Sequence, residues 1–523
     1  MIKYESDILV IGSGIAGMSA AHYAAENGFS VNIITKGDIV KDSNTYYAQG
    51  GIIYRGEKDS PDSLIKDIIS AGAHLSLPEN VRILATEGVF YIQDLLIGKA
   101  KINFTKDEGG QFDLTEEAAH SVRRIIHSND STGKAIANGL YRLIKKNKMI
   151  TFFDHHLGID LIINHVHSRD KLSIYDPPEV QGAFVLDTRE KEIKIFTAKA
   201  VILASGGLGQ IYKYTTNPLS ATGDGFAMAE RAGAQIINME YTQFHPTALY
   251  IKKPNMFLIS EALRGEGAQL KTIDNKDFMK KYHPGKSLAP RDVVARAIQE
   301  EMLKNQHPYV HLDIHSYLPS KIIKKKFPTI YKTCLENKIN ITKEPIPVVP
   351  AFHYICGGVK VDKWGRSGIR RLFSAGEASC TGIHGANRLA STSLLESLVW
   401  GGRIIKYISE NTSKYKLNRN YKIKPIKISS HQFQVIDPAC IKQDWSNLQN
   451  IMWNYVGLTR SKKRLTRALN NLKSLSNMIF EFYQKRKYNI EVIELKNAVQ
   501  TAIIITRSAL KNRRSNGTHY RID

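Results

Sequence analysis

The chain has 523 residues, 42% of them hydrophobic and 23% charged, the balance of an ordinary globular protein too long for one compact core, so two to four domains are expected. No apolar run reaches the roughly 18 residues a membrane span needs, and Glu5 and Asp7 break up any signal-peptide core. The formal net charge of +24 is spread along the chain without interleaved aromatics; it reads as solvated surface rather than a nucleic-acid face, with attraction to anionic substrates as the alternative. Four cysteines (Cys334, Cys356, Cys380, Cys440) lack C-x-x-C spacing, which excludes a zinc ribbon and a disulfide framework and points to the cytoplasm.

An apolar run from Asp7 to Ile11 ends in a G-x-G-x-x-G turn (Gly12, Ser13, Gly14, Ile15, Ala16, Gly17), and a small-residue helix follows. Strand, turn and helix in that order form a dinucleotide-binding unit. Gly12 permits the tight turn, Gly14 lets backbone approach a pyrophosphate, and Gly17 lets the helix pack on the strand. The helix N-terminus turns free N–H groups toward phosphate charge. A second strand, 31–36, ends in Thr35 and Lys36, where the Asp or Glu that holds a ribose hydroxyl usually stands. That weighs against NAD and leaves a flavin dinucleotide.

Residues 41–53 form a Gly-rich polar loop, either ordinary surface or a wall for a planar ring. Helical periodicity covers 61–73 and 80–98. The ionic cluster 116–124, with Glu117, His120 and Arg124, is either an exposed helix start or a site for a small zwitterion. Strand-like runs at 151–154, 159–163 and 182–187 suit an antiparallel insertion, and 199–207 is a buried strand entering a Gly turn. The turn-rich loop 217–225 feeds a helix at 226–233, near whose start Asp224 is placed as cap or ligand. From about 237 to 353 the style changes to that of an inserted cap, closed by Pro345 to Pro350, a stiff crossing between domains. Strand-to-turn segments return at 357–359 and 372–377, and 384–396 runs from a Gly-containing loop into a helix. A Lys-rich linker at about 413–428 precedes three amphipathic helices. Their stripes (Trp445, Leu448, Met452, Tyr455; Leu465, Leu469, Leu472, Leu475, Ile479, Phe482; Leu495, Val499, Ala502, Thr506, Leu510) are the core of a small bundle.

Seven motifs in order give this chain its resemblance: G-x-G-x-x-G at 12–17, T-x-x-A-Q-G-G at 45–51, T-G-D-G at 222–225, Q-F-H-P-T at 243–247, E-A-L-R-G-E-G at 261–267, A-P-R-D-V-V-A-R at 289–296 and H-G-A-N-R at 384–388. Over nearly its whole length it resembles the succinate dehydrogenase/fumarate reductase flavoprotein family, and within it the branch that oxidises L-aspartate. The resemblance implies an α/β Rossmann-like FAD-binding domain (1–236 plus 354–415), an inserted α+β capping domain (237–353) and a C-terminal helical bundle (425–523). It implies FAD held by Gly12 to Gly17, Lys36, the loop Asn44, Thr45, Tyr46, Tyr47, Ala48, Gln49, Gly50 and Gly51, then Asp224, Glu377, Ser393 and Leu394. Respiratory members carry a flavin-linked histidine where this chain has Asn44, so the flavin is expected to be non-covalent. His245, His353 and Arg388 are implied to bind carboxylates, with Ser260 and Glu261 nearby. Arg291 matches the proton-transfer arginine, which with a pKa above about 12 needs a relay acid, Glu261 or Glu266.

Glu117 matches the acid that orients the substrate's amino group, which succinate lacks. The implied reaction is FAD-dependent oxidation of L-aspartate to iminoaspartate, with electrons passed to O2, giving H2O2, or to fumarate. It is the first step of de novo NAD synthesis, coupled to quinolinate synthase, with neither nucleic acid nor membrane as partner. Two departures stand out. Ala118-Ala119 replaces a pair of glycines, at a cost on the order of 1 kcal/mol wherever positive φ is needed. The ending Ser515 to Asp523 keeps an S-x-G-x-H-x-R-x-D pattern with Asn516 in place of Arg, and the chain stops where relatives continue. The alternatives are a fumarate reductase or succinate dehydrogenase flavoprotein, and an FAD-binding assembly partner without turnover.

Overall fold

The computed structural model describes residues 2–117, 119–129, 131–251, 256–415, 422–424, 437–483 and 489–523. Ala118, most of the Lys-rich stretch at 413–428 and the side chain of Phe482 lie outside the described residues.

The first domain is built on β1 (Lys3–Ile11), α1 (Ile15–Glu26) and β2 (Val31–Ile34). Two helices follow, α2 (Pro61–Ala71) and α3 (Pro78–Tyr91), the latter running on as a π-helical segment to Lys99, then α4 (Thr132–Ile144). Next come β3 (Ile150–Phe153), β4 (His156–Ile163), β5 (Val180–Asp187), β6 (Glu192–Leu203) and α5 (Asp224–Arg231). The cap contributes β7 (Thr242–Leu249), β8 (Gln269–Lys271), α6 (Arg291–Lys304), β9 (Val310–Asp313) and β10 (Ile346–Ile355). The chain then returns with β11 (Leu372–Ser374) and α7 (Thr392–Glu410), and ends in α8 (Pro438–Tyr455), α9 (Lys462–Tyr483) and α10 (Ile490–Lys511).

The large sheet has a parallel heart, β3-β2-β1-β6-β11, with β11 beside the C-terminal half of β6. Its strands are apolar on both faces because helices cover them, and α1 and α7 pack together on one side. The antiparallel β5 pairs with the N-terminal half of β6, and β4 pairs with β5, extending the sheet. Two of the three runs expected in an antiparallel insertion are there, but 150–153 is the parallel neighbour of β2. It is reached by the crossover through α4, and alternation alone carries no information about a strand's partner.

The cap sheet has the order β7-β10-β9-β8, antiparallel throughout. The proline-punctuated run, which the sequence presents as a stiff crossing between domains, is therefore a central strand of this sheet. Prolines are tolerated in a central strand at irregularities. Pro350 sits where the β7 register shifts between His245 and Ala248, and the Pro347 carbonyl accepts the Tyr250 N–H at 2.9 Å. That bulge, two residues against one, bends β7 directly after His245.

The three terminal helices bury Leu448, Met452, Leu465, Leu472, Leu475, Ile479, Leu495, Val499, Ala502 and Thr506, while Trp445, Tyr455, Leu469 and Leu510 are half-buried. Their core is continuous with Tyr212, Phe244 and Phe352 at the root of the cap. Arg460, fully buried, ties the bundle to that root through the Glu240 carbonyl (2.6 Å) and Thr242 Oγ1 (2.6 Å), and reaches His519 Nδ1 (2.6 Å) in the tail. The tail in turn braces the 384–388 loop: Thr518 donates its N–H and its hydroxyl to the Ala386 carbonyl, each at 3.0 Å.

Candidate active site

Between the first domain and the cap lies a cavity of about 1360 Å³, larger than the roughly 300–1,000 Å³ of an ordinary ligand pocket. Its inner wall is the Gly12 turn. Gly12 has φ +115°, and a Cβ there would stand 2.1 Å from the Ala204 carbonyl oxygen; a Cβ at Gly17 would stand 2.0 Å from the Gly12 oxygen. The N-cap residue Gly14 brings no side chain and the first turn of α1 carries no acid, so beyond Ile15 the N–H groups there remain available for an anion. Ile15 N–H donates to Thr45 Oγ1 at 3.0 Å, which binds the loop at 41–53 to this turn.

That loop is partly ordered as a helical turn, Asn44–Tyr47, capped by Ser43. Asn44, Thr45, Tyr47, Ala48, Gln49, Gly50 and Gly51 line the cavity with Lys36, Asp224, Glu377, Ser393 and Leu394. Gly17 and Tyr46 do not: Gly17 is packed between helix and strand, and Tyr46 turns toward Tyr47 and Lys134. Asp224 opens α5 as its first residue, with Gly223 as N-cap. Asn44 Nδ2 donates to Glu377 Oε2 at 2.5 Å. Burial pushes the Glu377 carboxyl up to about 7, against the Ile355 N–H and Asn44, which favour the anion.

Four buried polar atoms in the lining, Ser13 Oγ, Asn44 Oδ1, Ser205 Oγ and Asn217 Oδ1, have no hydrogen-bond partner among the described residues. Together with the free N–H groups and the close-packed glycines they fit a long polar ligand carrying phosphate and hydroxyl groups, as FAD does.

The outer part of the cavity is cationic. His245 lies on β7 before the bulge, His353 on β10, Arg291 opens α6, and Arg388 comes from the loop ahead of α7. Ser260 and Glu261 close the cap side. Arg291 Nε donates to Glu261 Oε2 at 2.5 Å, and Arg264 Nη2 lies 3.5 Å from Oε1. Burial works against the Glu261 charge, but the two arginines outweigh it and hold the carboxyl below its usual range. Burial likewise opposes the Arg291 charge, and Glu261 and Glu117 hold its pKa above the ordinary value. Glu266, the other candidate relay, pairs with Lys326 at the cap surface (2.6 Å) and is not in the cavity lining.

Arg388 Nη1 donates to Ser393 Oγ (2.7 Å) and Nε to Gln243 Oε1 (3.2 Å), with the guanidinium 4.4 Å over the Tyr354 ring. Nη2 has no partner among the described residues and is the edge left for a carboxylate. The Tyr354 hydroxyl meets Glu396 (3.3 Å) and His384 (3.2 Å), and His384 lies 2.8 Å from Glu396, so a buried network stands behind the arginine.

The His245 and His353 rings are 5.8 Å apart. Burial and the neighbouring arginines hold His245 well below the usual imidazole range; burial, Arg388 and His245 do the same to His353. Thr247 brackets His245 Nδ1, and Thr216 Oγ1 meets His353 Nδ1 at 2.9 Å, which leaves each Nε2 for a ligand.

The cluster at 116–124 is neither a helix start nor a single site. Arg124 is fully buried and pairs with Asp59 (3.1 Å) and Asp67 (2.9 Å), a structural role, while Glu117 faces the cavity. Ser391 Oγ donates to Glu117 Oε2 at 2.8 Å, and Gly50 lies so close beneath that a Cβ there would be 2.8 Å from Oε1. Ala119 has φ +69°, the left-handed conformation that alanine resists.

Sequence reasoning missed Thr216, Gln243, Tyr354 and Ser391. Each is an unremarkable polar residue locally, and only the fold brings it beside a charged one.

Residues 7–394 match the family model described as FAD binding domain, and 445–523 match that of the fumarate reductase flavoprotein C-term. The chain is 41% identical over 522 residues to L-aspartate oxidase of Acinetobacter baylyi, covering 99% of this chain and 94% of that one. It is 40% identical over 538 residues to the chloroplastic L-aspartate oxidase 2-b of Nicotiana tabacum, covering 99% and 81%. Among solved structures it is similar to the FrdA chain of E. coli quinol fumarate reductase, with a TM-score of 0.87, 24% identity and coverage of 100% and 92%, a likeness of fold alone. Mycobacterium smegmatis Sdh1 aligns with a TM-score of 0.84, 28% identity and coverage of 100% and 89%.

Proposed function

The chain belongs to the fumarate reductase-type FAD flavoproteins, in the L-aspartate oxidase branch, and we propose on that premise that it oxidises L-aspartate to iminoaspartate. Two electrons and two protons leave the substrate and reduce either O2 to H2O2 or fumarate to succinate. The observation that carries the reading is the Glu117 carboxylate, held by Ser391 and facing a cavity that also carries Arg291, Arg388, His245 and His353, where the Glu261 carboxylate is already paired with Arg291 and Arg264. Cations suit any C4 dicarboxylate; a carboxylate held by a serine hydroxyl suits a substrate with an ammonium group.

FAD supplies the hydride acceptor when bound, held by the Gly12–Ala16 turn, the Asn44–Gly51 loop, Lys36, Asp224, Glu377 and the first turn of α7. Asn44 offers an amide already engaged with Glu377, which supports non-covalent binding. The free edge of Arg388 receives one substrate carboxylate. His245 and His353, neutral without a ligand, each present Nε2 to a carboxylate, whose charge raises the imidazole pKa and draws in a proton. Glu117, held by Ser391, fixes the ammonium nitrogen and so the orientation of Cα.

Fumarate reduction also needs a proton at the alkene carbon. The Arg291 guanidinium is the donor, and Glu261, at 2.5 Å, is the carboxylate through which it is reprotonated. Four free thiols fit a reducing compartment, for which we take the cytoplasm, and among the described residues no helix is long and apolar enough to cross a membrane. The product, an unstable imine, suits direct consumption by an enzyme such as quinolinate synthase.

Anaerobic addition of L-aspartate to the FAD-loaded protein tests the reading. Bleaching of the flavin band by L-aspartate and not by succinate is expected. Bleaching by succinate alone would move the chain to the respiratory type, and no bleaching by either would remove the enzymatic reading.

A further inference from the structure

Helix α10 carries two stripes. Leu495, Val499 and Ala502 face the bundle core, as their spacing requires. Glu494, Asn497 and Thr501, three and four positions apart, lie along another side, and all three are bonded to the end of the cavity at Lys36 and Asp224. Glu494 Oε1 accepts from Lys36 Nζ at 2.6 Å, Asn497 Nδ2 donates to Asp224 Oδ1 at 2.8 Å, and Thr501 Oγ1 donates to the Gly223 carbonyl at 3.0 Å.

Lys36 spends its other two hydrogens on Asp224 Oδ2 (2.7 Å) and Thr222 Oγ1 (2.5 Å), so all three are committed. The Lys36 side chain is 13% exposed and that of Glu494 18%, so this contact is well withdrawn from solvent. Lys36 and Asp224 alone would be neutral. With Glu494 the trio carries a net charge of −1, the charge that a single Asp or Glu at the end of the second strand brings to a dinucleotide site. The acid absent at position 36 is restored in space by a residue 458 positions away.

We propose that Glu494 and Asn497 are positioning residues for the cofactor, and that helix α10 sets FAD affinity from outside the FAD-binding domain. This rests on the FAD reading of the cavity. Glu494 draws Lys36 off an exclusive pairing with Asp224, and Asn497 holds the second oxygen of Asp224, so the carboxylate keeps one orientation toward the cavity. Without Glu494 the ammonium collapses onto Asp224; without Asn497 that carboxylate is held through Oδ2 alone, by Lys36 and Thr222.

The test is FAD titration of apoprotein prepared from the full-length chain, read by quenching of flavin fluorescence. Hydrogen bonds to charged groups of this kind set the expected scale: Glu494→Gln and Asn497→Ala each raise the FAD Kd about tenfold. The KM for L-aspartate at saturating FAD stays within about twofold, a split that general loosening of the fold would not produce. Gln500→Ala, on the same helix but bonded to Glu230 and Arg231, leaves the FAD Kd unchanged. Asn497→Ala removes no charge and carries the test if Glu494→Gln does not fold. Parent-like FAD binding by both variants overturns the proposal, while a parent chain that takes up no FAD overturns the cofactor reading on which it stands.

Discussion

Replacing Glu261 by Gln keeps the shape of the side chain and removes the charge that answers two arginines. Arg264 is wholly buried, and the Arg291–Glu261 pair is 17% and 19% exposed, so little water is on hand to take over. Breaking such a pair by removing one partner costs about 3–5 kcal/mol, and its slightly open edge puts this one near 3. With an unfolding entropy of roughly 2.1 cal/mol/K per residue, a chain of this size unfolding as one unit would melt about 3 °C lower. A dicarboxylate brings back the missing negative charge, so saturating succinate should raise the melting temperature of Glu261→Gln more than that of the parent. Fumarate reduction, which needs the relayed proton, should fall by about 10²–10⁴ in kcat, the range for loss of acid–base catalysis. Scanning calorimetry with and without succinate and anaerobic fumarate turnover measure the two effects. A variant that melts like the parent and keeps its kcat would refute both the pairing energetics and the relay.

Glu117→Gln should abolish aspartate oxidation and largely spare fumarate reduction; equal loss of both in steady-state assays would sink the amino-group assignment. Ala119→Gly relieves a left-handed alanine worth about 1–2 kcal/mol but loosens the unfolded chain by about 0.4–1, so a net gain of roughly 0.5 kcal/mol in urea unfolding is expected, and destabilisation would remove the strain argument. Glu377 keeps its proton to about pH 7 in the folded chain and loses it near 4.5 when unfolded. Its ionisation therefore costs stability as pH rises from 4.5 to 7, up to about 3 kcal/mol, and the penalty is absent below 4.5. Urea unfolding of the apoprotein at pH 5 and 7.5 should show that slope in the parent and a shallower one in Glu377→Gln.

What could be read in the sequence was local or short in range. The Gly12–Gly17 turn is specified by its own neighbours, and the helical stripes of the bundle by their period. Arg291 and Arg388 could be singled out because each sits in a distinctive run. The errors share a cause. Residues 150–153 and Pro345 to Pro350 are extended in themselves, and what they pair with is decided by segments far off in the chain. At 116–124, Arg124 and Glu117 look equivalent, yet Asp59 and Asp67 draw one into the core while Ser391 turns the other to the cavity. Glu494 is one more acid on a helix until its contact with Lys36 is seen.

The return of the chain at β11, after the whole cap has been made, has a consequence for biosynthesis. Asn44 and Glu377, partners in one hydrogen bond, are separated by 333 positions. At about 5–20 residues per second, a ribosome needs roughly 17 to 67 s to make the second after the first. For that time the nascent nucleotide turn has only one side of its binding cleft, and its apolar strands wait for the segment that will flank β6. Uptake of the flavin is thus a late event in the life of each new molecule, and a bright yellow preparation reports that synthesis, cap folding and strand return have all been completed.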